Sequence, residues 1–136
     1  MELVPSRPEH RPALEEFLLG VKRNALEPDE LVTSVRVRPS DGAQTFMKVG
    51  PRNAMVIAIC SLAVVVDPEA GEVRASFGSA ATTAKSVTVP LADAASLPER
   101  VAEAASPIDD VRATAAYRRH ALRVLAGRAL ERCLRA

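Results

Sequence analysis

The chain has 136 residues, a formal net charge of +1 and 48% apolar residues, which is enough for one buried core and too apolar for a disordered segment. Near-neutral charge and only four aromatic residues (three Phe, one Tyr, no Trp) argue against nucleic acid as a partner and against an anionic membrane surface. The core must therefore be assembled from Ala, Val, Leu and Ile.

Residues 1–13 hold three of the ten prolines and show no periodicity, so they read as an extended lead-in to a domain spanning 14–136. They contain no apolar signal core, and a cytoplasmic location is the expectation. Leu14 to Leu19 suggests a short helix stopped by Gly20, and Pro28-Asp29 marks a turn. Residues 31–38 alternate, with Val35 and Val37 on one face and Ser34, Arg36 and Arg38 on the other, the pattern of a half-buried strand.

After the Pro39-Ser40-Asp41-Gly42 turn comes a basic elbow, residues 46–53, which reads Phe-Met-Lys-Val-Gly-Pro-Arg-Asn. It feeds the apolar run 54–66. That run is too short to span a bilayer, and its Val and Ile content predicts a central strand over 56–66, buried on both faces. Asp67 to Glu72 is of hairpin length, with Gly71 supplying a left-handed position, and residues 73–77 form the next strand. Residues 79–86 are small and polar and read as a loop leading towards a helix. Two short Ala-rich helices follow, over 91–97 and 98–105. Residues 114–135 carry the strongest helical pattern, with Leu122, Leu125, Ala126, Ala129, Leu130 and Cys133 on one face and Arg118, Arg119, Arg123, Arg128 and Arg132 over much of the remainder. Strands followed by helices predict an α+β fold: an antiparallel sheet of three or four strands packed against about three helices.

Few residues suggest chemistry. The two histidines, His10 and His120, stand in no hydrolase-like pattern, and His120 reads as a helix-surface or packed residue. Asp109 and Asp110 read as caps of the last helix. Cys60 and Cys133 lie in apolar patterns and read as buried thiols; no clustered ligands suggest zinc or iron–sulfur. The six glycines form no phosphate-cradling motif. That leaves Lys48 and Arg52. Surface exposure is their commonest fate, and a cation beside an anionic or electron-rich ligand is the functional alternative.

Several motifs occur in a recognisable order. They are Phe17-Leu18-Leu19-Gly20, then Leu26-Glu27-Pro28-Asp29-Glu30-Leu31, then Lys48 with Arg52. Next come Gly78-Ser79-Ala80-Ala81-Thr82-Thr83-Ala84, Pro107-Ile108-Asp109-Asp110-Val111-Arg112 and Tyr117-Arg118-Arg119-His120. Over residues 14–134 the chain resembles the C-terminal domain of the FAD-binding medium subunit of molybdenum hydroxylases, the family of xanthine and carbon monoxide dehydrogenases. It departs from that family at Thr82 and Ala84, where the family has prolines. The resemblance implies a fold like the C-terminal domain of the carbon monoxide dehydrogenase flavoprotein, with the N-terminal FAD-binding domain absent from this chain. It implies contacts to FAD from Leu31, Val32 and Lys48, no catalytic residue and no metal ligand. It implies partners: an N-terminal FAD-binding domain or chain, a molybdopterin large subunit and a [2Fe-2S] small subunit. On that reading the chain helps pass electrons from iron–sulfur centres to an acceptor, is inactive alone and does not retain FAD alone. Two rivals remain: a flavin-free subunit-docking or regulatory module of the same fold, and a small α+β domain binding an anion at the Lys48/Arg52 edge.

Overall fold

The computed structural model describes residues 11–37 and 39–135. Most of the lead-in 1–13, and Arg38, therefore lie outside the described residues. The chain divides into two compact units, Met1–Arg36 and Val37–Ala136.

The described part of the first unit is local in its bonding. Helix α1, Leu14–Phe17, is a single turn whose Glu16 carboxylate accepts the Ala13 N–H. The Phe17 carbonyl accepts the Ala25 N–H at 3.0 Å, and the Glu30 carboxylate accepts the Glu27 N–H across the Pro28-Asp29 turn. The strand expected over 31–38 is not formed among its described residues. A strand is a property of a pair, and among the described residues no backbone supplies the second ladder.

The second unit holds a four-stranded antiparallel meander in the order β1-β2-β3-β4. The strands are β1, Gln44–Val49; β2, Cys60–Asp67; β3, Glu72–Gly78; and β4, Lys85–Pro90. A 3-10 segment, Leu91–Ser96, leads into α2, Leu97–Ala104, and α3 spans Ala115–Leu134. The α+β expectation, a sheet of three or four antiparallel strands with about three helices, is met.

Several boundaries differ from the sequence expectation. The elbow at 46–53 begins as strand, because Phe46 to Val49 pair with Ala63 to Cys60. The central strand starts at Cys60 and not at residue 56. Gly50-Pro51 ends β1, so the ladder runs out at the bond from Ile59 N–H to the Val49 carbonyl, 2.7 Å. Nor is β2 buried on both faces: Cys60, Leu62, Val64 and Val66 are buried, whereas Ser61, Ala63 and Val65 between them are half-buried. The loop expected over 79–86 gives way at Lys85 to β4, whose Val87 and Val89 pair with Ala75 and Val73. Thr114, and not Asp109 or Asp110, caps α3 by accepting the Tyr117 N–H; Asp109 reaches the Ala115 N–H.

The core lies between one face of the sheet and helices α2 and α3. Leu62, Val64, Val73 and Phe77 meet Leu97, Val101, Leu122 and Ala126 there. Burying a Leu or Phe of this kind contributes about 1.5–3 kcal/mol. Cys60 and Cys133 are free and buried, and burial raises both thiol pKa values, against the opposing charges of Arg118 and Arg132 respectively. At the entry to β1, Gly42 passes so close to the Val66 carbonyl that a Cβ would overlap it.

Candidate functional site

The helices cover one face of the sheet, and register defines the other. Lys48, Ser61 and Gly78 lie in one row across β1, β2 and β3. The next row is Phe46, Ala63, Ser76 and Ser86. Strand alternation puts these side chains on the side away from the buried core. The Ser76 and Ser86 hydroxyls meet at 2.8 Å across the β3–β4 ladder. Over these two rows the floor on the central strands is thus made of Ser, Ala and Gly; the third row adds Val65 and Arg74, and the rim on β1 carries exposed Phe46 and Lys48. A Cβ at Gly78 would approach the Ser61 hydroxyl to 3.3 Å, so glycine keeps that row low.

Lys48 sits at the end of the sheet where two loops meet it: residues 50–59 between β1 and β2, and 79–84 between β3 and β4. Its ammonium donates to the Val56 carbonyl at 3.0 Å, which ties the side chain to the first of these loops. Two of its three N–H donors remain. Arg52 is exposed within the same loop, where its carbonyl accepts the Ala54 N–H. Leu31 and Val32 belong to the first unit and are exposed. The three residues implied by the resemblance are thus a tethered cation on β1 and two uncovered aliphatic side chains in another unit.

The second loop is anchored by a residue that sequence reasoning put on the polar face of α3. Arg118 is 2% exposed. It donates to the Ser79 carbonyl at 2.7 Å and to the Asp110 carboxylate at 2.5 Å. Ser79 holds a left-handed φ of 59°. The Asp110 pKa falls far below the usual carboxylate range. The Arg112 backbone N–H is the main cause; the guanidinium groups of Arg112 and Arg118 and the Ala113 N–H add to it, against the cost of desolvation. A signal was available: 118, 122, 125 and 129 follow helical spacing, so Arg118 falls on the apolar stripe.

His120 is exposed in a shallow groove between α2 and α3, beside the Glu99–Arg123 ion pair at 2.6 Å. Among the described residues no group of three or more His, Cys, Asp or Glu is placed to hold a metal, and no helix is long and apolar enough to cross a membrane. Chemically, the open face is a partly polar surface with Lys48 tethered at one end and the Arg74–Glu72 ion pair, 2.6 Å, towards the other.

Comparison with solved structures decides the fold. One similar chain is the carbon monoxide dehydrogenase from Hydrogenophaga pseudoflava that lacks the Mo-pyranopterin moiety of its molybdenum cofactor. The TM-score is 0.73 at 19% identity, over 88% of this chain and 47% of that one. A second is quinoline 2-oxidoreductase from Pseudomonas putida 86, with a TM-score of 0.73 at 17% identity, over 87% of this chain and 46% of that one. A third is the cyanide-inactivated Cu,Mo-CO dehydrogenase, with a TM-score of 0.66 at 22% identity, over 87% and 46%. The fold is the one found within these oxidoreductase chains. At such identities the likeness is one of fold. This chain spans about half the length of the solved chains it matches. No protein-family model matches it, and no curated protein does.

Proposed function

We propose that this chain is the C-terminal part of the FAD-containing medium subunit of a molybdenum hydroxylase-type oxidoreductase. Its role there is to close over a flavin held mainly by an N-terminal FAD-binding domain or chain. The partners on this reading are a molybdopterin large subunit and a [2Fe-2S] small subunit. One coincidence carries the reading: the collinear motifs that resemble this family fall on a fold shared with carbon monoxide dehydrogenase and quinoline oxidoreductase chains.

The residues present fit one side of the cofactor. The floor of Ser61, Ala63, Ser76 and Gly78 carries no side chain larger than serine over those two rows, which supports a planar ring lying there. Lys48 at its rim offers charge and two remaining donors. Leu31 and Val32 are assigned to the ring on the strength of their motif. No glycine loop here cradles a pyrophosphate, so that group must be held by the partner. The flavin supplies the redox chemistry when bound; this chain covers it and sets its electrostatic surroundings.

The test is reconstitution. The isolated chain should purify colourless, and it should take up FAD only with a flavin-binding partner domain. Stoichiometric yellow FAD surviving gel filtration of the 136-residue chain would contradict this division of labour. A flavin-free docking or regulatory module is the second reading, favoured by the engagement of the Lys48 ammonium with the Val56 carbonyl. A stable complex with oxidoreductase subunits that lacks flavin would select it.

A further inference from the structure

The outer face of α3 carries a heptad pattern that the domain core does not use. Tyr117, His120, Val124, Gly127, Glu131 and Leu134 recur at alternating steps of three and four, which aligns them along one side of the helix. Tyr117, Val124 and Leu134 are 47%, 36% and 57% exposed, and His120 and Glu131 are exposed with them. The line runs about 26 Å. It borders the groove whose other wall is Pro98 and Glu99 of α2. Gly127 is its least expected member, because glycine weakens a helix interior. The packing around it does not require a glycine. Outside its own helix a Cβ there would meet Pro98 Cγ at 3.9 Å, an ordinary contact, and nothing closer. A second helix, however, can approach most closely where a side chain is missing.

The order of residues along this line is complementary to itself. Pairing it in parallel with a second copy sets equal positions side by side, so Glu131 opposes Glu131 and Gly127 leaves a gap against Gly127. Antiparallel pairing matches unlike positions. Val124 then fills the space over Gly127 of the second copy, the His120 imidazole donates to the Glu131 carboxylate, and Tyr117 covers Leu134. Each contact occurs twice about the two-fold axis, so the assembly closes at two copies. Arg123 and Arg128 lie on opposite flanks of the line, and Arg123 already pairs with Glu99 at 2.6 Å. We propose that α3 packs antiparallel against α3 of a second copy of this chain, with Val124 seated over Gly127. One helix face holds both halves of every pairing: the carboxylate and its donor, the protruding valine and its gap. That reciprocity singles out a second copy as the occupant. The proposal goes beyond the flavin reading and does not rest on it.

The experiment is sedimentation equilibrium of the full 136-residue chain over a range of concentrations. A contact one helix wide is small, so the dissociation constant should lie on the order of 10–100 μM. The average mass should rise from 14.5 kDa towards twice that value as the chain is concentrated. Gly127→Gln fills the gap with a better helix former. It should weaken the dimer about tenfold or more while the dilute monomer melts no lower than wild type. Glu131→Lys gives up within the chain only an exposed pair with Arg135 at 3.6 Å, and it should also weaken the dimer. Adding His120→Glu to Glu131→Lys exchanges the two charges across the contact and should restore association, which a merely structural role for either residue would not do. A mass of 14.5 kDa at every concentration would overturn the proposal. So would a dimer indifferent to Gly127→Gln, which would point to the open edges of β1 and β4 instead. Loss on Glu131→Lys without rescue by the double variant would overturn the antiparallel pairing.

Discussion

Arg118 and Asp110, eight positions apart, meet at 2.5 Å, and the same guanidinium donates to the Ser79 carbonyl 39 positions upstream. One side chain therefore joins the start of α3, the turn before it and the loop leaving β3. Removing it would strand the Ser79 carbonyl and leave Asp110 with only Arg112 and Ala113 as donors. Arg118→Met is expected to cost on the order of 3 kcal/mol, read as a lower urea midpoint with an unchanged slope. Arg118→Lys should recover only part of the loss, since an ammonium cannot bridge two acceptors as a planar fork does.

Asp110 makes stability depend on pH in a defined direction. Its folded pKa is depressed relative to an unfolded value of about 3.9. Its contribution is thus fully present above about pH 4 and is lost as pH falls from there towards the folded value. Asp110→Asn should be less stable than wild type at neutral pH. Its urea midpoint should fall less steeply in acid, so that the gap between the two curves narrows progressively as pH falls below about 4.

Gly42 tests the close approach beside β2. A methyl group there meets the Val66 carbonyl, a backbone atom that cannot rotate away. Gly42→Ala is expected to destabilise by about 1–3 kcal/mol despite the higher strand and helix propensity of alanine. Thermal melts of the two proteins check it.

Lys48 tests the proposed function. In a reconstituted flavin complex, a cation beside the ring favours the reduced, anionic form. Lys48→Met should therefore lower the flavin potential by on the order of 30 mV, the two-electron equivalent of about 1.4 kcal/mol. Lys48→Arg should recover part of the shift. Because Lys48 is exposed and, among the described residues, bonded to a loop carbonyl alone, neither variant should alter the melting temperature of the isolated chain much. An unchanged potential and unchanged flavin affinity would make Lys48 a surface residue.

What the sequence revealed followed periodicity. The hairpin through Gly71 and the helix over 115–134 were plain, because turn chemistry and an apolar stripe are local signals. Strand β4 was missed: its run Lys-Ser-Val-Thr-Val-Pro is short, follows a stretch of small polar residues, and gains strand character from pairing with β3. Residues 31–37 failed in the opposite way, with the pattern present and no paired strand among the described residues. At the candidate site, Lys48 stood out as a cation beside Gly-Pro. The floor of Ser61, Ala63 and Ser76 did not, since small residues acquire meaning only when register aligns them. Arg118 was hidden because arginine on a helix is ordinarily solvated, and only its acceptors at 79 and 110 explain its burial.

The order of elements has a consequence for synthesis on the ribosome. All four strands emerge before α3, yet α3 covers β2, and its Cys133 reaches back to the Val64 carbonyl 69 positions earlier. The hairpins can zip as they appear, but Leu62, Val64 and Phe77 stay uncovered until the helix has left the exit tunnel. For that interval the nascent sheet presents a bare apolar face with open edges, the form of chain that trigger-type chaperones shield and that aggregates when translation stalls. Slowing translation within the α3 codons should therefore lower soluble yield more than an equal delay within the codons of β1.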